Sequence, residues 1–168
     1  MRYIDFDGVI LDTEELLFEE WRKNPNRFNL PEIEKIKYVQ NQDWNHIVFN
    51  SPAIDDSLYI LKQLDPNENA ILTKVHSMGN EAQAKYKWRR VNGILIPMII
   101  VPYQYKKTDI VVAKDNELYD DGLFNLDEWK EAGGIPYLVD PNDDNYDSWH
   151  KPNVNNYPRV KSLSKILK

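Results

Sequence analysis

The stretch YIDFDGVILDTEE, residues 3–15, places three aspartates in and just after a segment that otherwise reads as a buried strand. Side chains alternate faces along a strand, so Asp5 and Asp7 are expected on one side and Phe6 on the other. Two carboxylates sharing a small site repel, and one of them keeps a proton unless a cation lies between them. Those conditions suit metal binding and acid–base chemistry. Gly8 follows at once and allows a sharp turn as the strand ends. Asp12, with Glu15 three residues later, has the pattern of a helix N-terminus. The stretch therefore predicts a strand, an acidic turn and a helix.

Outward from this stretch, residues 14–23 are helical in pattern, and NPNRFNLPE interrupts them with two prolines and several asparagines. A helical period resumes over 32–40. DDSLYILKQL sets Leu58, Leu61 and Leu64 on one apolar helical face, with Ile60 at its edge. The intervening residues carry no strand signal, and approximately 14–53 are predicted to form a small helical cap insert within a single domain spanning 1–168. The rest alternates: NAILTKV as a strand, 80–92 as a helix, IPMIIVPY as a strand, DIVVA and ELYDD as short strands, 124–132 as a helix, then IPYLVD as a strand. Nearly continuous apolar strands alternating with helices predict an α/β fold, a doubly wound parallel sheet covered on both faces. Ligands in such sheets bind beyond the carboxyl ends of the strands, which directs attention to Asp5, Asp7, Thr73 and the Asp120/Asp121 pair. Residues 140–157 are polar and turn-rich and are expected as a surface loop before a last short helix ending in Ile166 and Leu167.

Composition narrows the function. A chain of 168 residues with 42% hydrophobic content can bury a real core. No apolar run approaches the roughly 20 residues that cross a bilayer, and aspartate interrupts the N-terminal segment by position 5, so no membrane partner and a cytoplasmic location are expected. Cysteine is absent, which removes disulfides, thiol nucleophiles and cysteine-ligated metal centres. His46, His76 and His150 are widely spaced and show no ligand pattern. A net charge of −6 argues against a surface that tracks a nucleic-acid backbone.

DFDGVILDT resembles motif I of the haloacid dehalogenase superfamily, a hydrophobic strand followed by D-x-D-G-V and then D-T. AILTKV is similar to motif II, a strand ending in Thr73. LYDDGLFNLDEWKEAGGIPYLVD resembles motif IV, a strand ending in a carboxylate pair, in the form found in 5'(3')-deoxyribonucleotidases, with Asn125 and a helix closed by Gly133 and Gly134. Motif III should be a lysine, and two are offered: Lys85 in AKYKWRR, three residues before Trp88, and Lys107 in YKKTD, the favoured choice because an acidic site needs a nearby cation. The resemblance implies a Rossmann-like hydrolase fold and a Mg2+-dependent phosphomonoesterase. By resemblance Asp5 is the nucleophile that becomes an aspartyl-phosphate, and Asp7 is the general acid and base. The metal is held by Asp5, Asp7 through its backbone carbonyl, and Asp120. Thr73, the amides after Asp7, and Lys107 or Lys85 bind phosphate, while Asp121 and Asn125 orient the metal ligands. The implied partner is a small phosphorylated metabolite, with nucleoside monophosphates first in line.

Other readings stay open at this level. A lone D-x-D-G also occurs in calcium loops, but an EF-hand needs a Glu at position 12 of its loop, and strand-like VIL follows here. A phosphatase of another small metabolite, a phosphomutase, and a non-catalytic domain that binds phosphate or metal share the same motifs. A binding module would not need the second acid, Asp7. Thr13 stands where deoxyribonucleotidases carry an aromatic residue, and the insert is short for a nucleotidase. Trp21, Phe28, Trp44 and Phe49 could line a base pocket, but aromatics at such spacing more often build core.

Overall fold

A computed structural model describes residues 1–140 and 156–167. Among the described residues, six parallel strands make one sheet in the order β3-β2-β1-β4-β5-β6. They are β1 (Arg2–Ile4), β2 (Asn69–Val75), β3 (Met98–Pro102), β4 (Glu117–Asp120), β5 (Ile135–Val139) and β6 (Arg159–Val160). The chain adds β2 and β3 on one side of β1, then returns to place β4 on the other. The crevice at this reversal is where open α/β sheets bind ligands. Ile4 pairs with Tyr119 in β4, so Asp5 emerges beside Asp120 at that point.

Alternation along the strands explains why both faces are covered. Ile4, Ile71, Tyr119 and Val139 join one buried cluster, which includes Phe6, Trp44, Ile60 and Trp88. Tyr3, Ala70, Leu72, Leu118 and Leu138 face the other, built around Leu126 and Trp129. Burying one such large side chain is worth about 1.5–3 kcal/mol. Doubly wound packing therefore follows directly from strands with apolar residues on both faces. On the second face, α8 (Leu123–Glu131) buries Leu123, Leu126 and Trp129. On the first lie α6 (Glu81–Val91) and α5 (Ser57–Gln63), the latter burying Ile60 and Leu61.

Between β1 and β2 run α1 (Glu14–Leu17), α2 (Glu19–Arg22), α3 (Glu32–Gln40), α4 (Trp44–Asn50) and α5. The two chain passages into and out of this segment are tied together. Asp12 N–H donates to the Pro52 carbonyl (3.0 Å), Ile54 N–H donates to that of Ile10 (3.0 Å), and Leu11 bridges Ala53 antiparallel. Helix α4 packs against α6 and buries Trp44, Ile47 and Val48.

Four expectations differ in detail. The helix expected over 14–23 is two four-residue helices meeting at Phe18. Thr13, not Asp12, takes the N-cap position of α1, and its hydroxyl is used elsewhere. DIVVA is not a strand: α7 (Lys107–Ile110) occupies its start, and Ile110 and Val112 are exposed. Its apolar run does not enter the sheet beside β4, the strand that follows it in sequence, because β1 and β5 already flank β4. A sixth strand, β6, follows the polar segment and leads to the last short helix, a 3-10 turn over Leu163–Leu167. Residues 141–155 of the expected surface loop, His150 among them, lie outside the described residues.

Candidate active site

Strand β1 ends at Ile4, and Asp5 continues its pairing only through its N–H to the Tyr119 carbonyl (2.9 Å). The chain then coils back on itself. Gly8 N–H donates to the Leu11 carbonyl (2.9 Å), and the amides of Ile10 and Leu11 both donate to Phe6 (2.9 and 3.1 Å). The Gly8 amide, expected among the phosphate donors, is thus engaged within its own loop. Gly8 has φ +72°, and a Cβ there would lie 2.1 Å from Asp121 Oδ2. Only glycine satisfies both the backbone angle and the close approach of that carboxylate.

Two lysines divide the acids between them. Lys107 Nζ lies 2.8 Å from Asp5 Oδ1 and 2.5 Å from Asp120 Oδ2. Lys85 Nζ lies 2.5 Å from Asp7 Oδ2, 2.7 Å from Glu81 Oε1 and 3.1 Å from Thr73 Oγ1. Strand alternation placed Asp5 and Asp7 together, but the strand stops before them and each goes to its own cation. Both lysines are buried. Burial works against their charge, yet the adjoining carboxylates outweigh it and hold both ammonium groups above the usual lysine range. The Lys85 ammonium also faces two aromatic rings, its Nζ 5.1 Å from the Phe6 ring and 5.3 Å from that of Trp44.

The carboxylates at the crevice are crowded. Asp5, Asp120 and Asp121 each bring one oxygen within 4.8 Å of the others. Burial pushes the Asp5 carboxyl up to about 7; Lys107 opposes this, and Asp120 and Asp7 reinforce it. Asp121 is raised well above the carboxylate range by burial and by Asp120, Asp5 and Asp7. Asp120 is oriented by Gly122 N–H on Oδ1 (2.8 Å), by Lys107 on Oδ2, and by the Asn125 amide, 3.2 and 3.0 Å from its two oxygens. The converging group adds one residue to the expected ligand set: Asp121, expected only to orient others, brings an oxygen to the same place. The Asp7 carboxyl, not expected as a ligand, is turned to Lys85 and to Thr13, whose hydroxyl donates to Oδ1 (2.7 Å).

A magnesium ion suits these residues. Three hard oxygen donors converge, one ammonium is set against three carboxylates, and the raised Asp5 and Asp121 register a surplus of negative charge that a divalent cation would relieve. Thr73 lies at the same end of the sheet, fully buried, and accepts from Lys85.

Sequence reasoning did not single out Glu81, and it took Thr13 only as a missing aromatic. The readable signal for Glu81 was its spacing of four residues before Lys85, which aligns them on one helix face. Of the aromatics weighed for a base pocket, Trp44 is core, 2% exposed, with its indole N–H on the Val39 carbonyl (2.9 Å). Phe28 is 83% exposed, Trp21 packs on Tyr38, and Phe49 lies beneath Lys87.

The reversal of the parallel sheet at β1 and β4, with carboxylates closing both strands, gives a Rossmann-like fold similar to that of solved structures of haloacid dehalogenase-type (HAD) hydrolases. Among solved structures it is similar to the HAD-type protein YfnB of Bacillus subtilis, bound to magnesium, at TM-score 0.58 and 16% identity over 98% of this chain and 95% of that one. L-2-haloacid dehalogenase from Xanthobacter autotrophicus, with chloropropionic acid covalently bound, superposes at TM-score 0.60 and 11% identity over 98% and 95%. A HAD hydrolase of family IA, variant 3, from Entamoeba histolytica does so at 0.53 and 13% over 82% of each chain. No protein-family model and no curated protein sequence matches the chain. Among the described residues, no helix is long and apolar enough to cross a membrane.

Proposed function

We propose that the chain is a magnesium-dependent phosphomonoesterase that works through an aspartyl-phosphate on Asp5. The observation that carries this is the pairing of two acids with two separate lysines beside a converging carboxylate trio. Asp5, Asp120 and Asp121, together with the Asp7 backbone carbonyl, would hold magnesium, which would supply charge neutralisation between an anionic nucleophile and an anionic phosphate. Asp5 attacks phosphorus, with Lys107 fixing the angle of its carboxylate. Asp7, at the partly exposed mouth, passes its proton to the leaving oxygen and then takes one from the water that hydrolyses the acyl phosphate. Lys85 neutralises the carboxylate that Asp7 becomes once that proton has gone. Thr73 and Lys107 line the place of the phosphate oxygens.

Carbon–halogen displacement on the same fold is the competing reading. Halide leaves as a stable anion and needs no proton, so Asp7 would have no acid to supply in the first step, and no anionic phosphate would call for a cation at the Asp120/Asp121 pair. For substrate we propose nucleoside monophosphates, hydrolysed with weak preference among bases. The support is the motif IV stretch together with a stacked pair, His76 and Tyr103 (5.4 Å, 11°), partly exposed just beyond β2 and β3 at the carboxyl end of the sheet. Trp44 is too buried to stack a base. The test is phosphate release from deoxynucleoside monophosphates, hexose phosphates and triose phosphates, with a haloacid control. Preference for the sugar phosphates would reject the nucleotidase reading alone, and halide release without phosphate release would reject the phosphatase.

A further inference from the structure

The Lys85 ammonium is saturated with acceptors: Asp7, Glu81 and Thr73 at 2.5, 2.7 and 3.1 Å, with the Lys74 carbonyl farther off at 3.4 Å. A lysine has three N–H donors and no more. Glu81 is equally committed, one oxygen to Lys85 and the other to the backbone N–H of His76 (2.7 Å), whose ring Nδ1 is 3.8 Å away. The side chains of Glu81 and Lys85 are 2% and 0% exposed, whereas that of Asp7 is 33% exposed. The chain Glu81–Lys85–Asp7 thus runs from an enclosed anchor to a carboxyl that solvent and substrate reach. A lysine on a four-carbon stem takes its position from what it binds; its enclosed side-chain partners here are Thr73 and Glu81, and of the two Glu81 is the charged one and the nearer.

We propose that Glu81 is a positioning residue: by holding Lys85 it holds the Asp7 carboxyl at the angle from which it exchanges a proton with the leaving oxygen. This rests on the reading of Asp7 as the acid–base group. In the first half-reaction an Asp5 oxygen bonds to phosphorus, the ester P–O bond breaks, and the leaving oxygen takes the Asp7 proton. In the second, water bonds to phosphorus, the bond to Asp5 breaks, and the water proton returns to Asp7 as phosphate departs. An alkoxide cannot leave without that proton; p-nitrophenolate can. A purely structural ion pair within α6 would not distinguish them.

Glu81→Gln keeps the volume, but both glutamate oxygens accept, so the amide must turn its NH2 toward one of two donors. Relative to wild type, kcat/KM for an alkyl phosphate is expected to fall about a hundredfold and that for p-nitrophenyl phosphate less than about fivefold. Equal losses on the two esters would overturn the proposal. A second measurement does not need turnover: in the intact 15N-lysine-labelled protein, the Lys85 ammonium protons should exchange slowly, and Glu81→Gln should speed their exchange. Unchanged exchange would overturn the proposal whatever the assays show. Wild-type protein inactive on both esters would reject the phosphatase reading and the catalytic meaning of Glu81, while the exchange rates still decide whether Glu81 holds Lys85.

Discussion

Asp5 and Asp7 stand two residues apart and meet different lysines, so single substitutions should separate their roles. Asp5→Asn keeps the shape without the nucleophilic charge, and turnover should vanish while circular dichroism is unchanged. Lys107→Ala should lower kcat/KM about a hundredfold, on the order of 2.7 kcal/mol, by releasing Asp5 and Asp120. Lys85→Ala strands the buried Glu81 carboxylate, and a broken buried ion pair costs about 3–5 kcal/mol. Chemical denaturation should therefore show a large loss of stability with Lys85→Ala. Strand ends and motif spacing mark Asp5, Asp7, Thr73, Lys85, Lys107, Asp120, Asp121 and Asn125 in the sequence, and the structure gathers them at one end of the sheet. The partners of these residues were not readable in the sequence. Thr13 meets Asp7 only because the chain coils after β1, and Glu81 matters because burial makes it the inner end of an ion-pair chain.

At the scale of elements, the turn after β1 is the most exacting piece of backbone in the site. Gly8 must adopt a positive φ and leave room for Asp121. Gly8→Ala should lower the melting temperature and weaken magnesium binding, measured by calorimetric titration, because the new methyl displaces a carboxylate of the converging trio. The regular strands were legible from their apolar runs, as were α3, α5, α6 and α8. DIVVA misled because β-branched composition does not by itself place a segment in a sheet, and β1 and β5 take both edges of β4, the strand that follows it. β6 escaped notice because two residues carry no periodicity.

For the whole molecule, the crowding of carboxylates at the β1/β4 crevice couples metal, protons and stability. Without magnesium, the folded protein retains the Asp5 proton from the ordinary carboxylate range up to about pH 7, whereas the unfolded chain has lost it. The contribution of this group to stability is therefore full at low pH and falls as pH rises through that window. Magnesium binds the anion and must displace the proton, so its affinity should increase as pH rises to about 7. The gain in melting temperature on adding magnesium should accordingly be larger at about pH 7.5 than at about pH 5.5; an equal gain at both would contradict the linkage. The central claim is that Asp5 carries the phosphoryl group, and the most direct measurement is acid quenching of the enzyme during magnesium-supported turnover of a nucleoside monophosphate, followed by peptide mass spectrometry. A phosphoryl group on the peptide containing Asp5, labile to alkali and absent from Asp5→Asn and from EDTA-treated enzyme, is the predicted result. Phosphate release that persists in Asp5→Asn, with no phosphoryl group on that peptide at any quench time, would contradict the account.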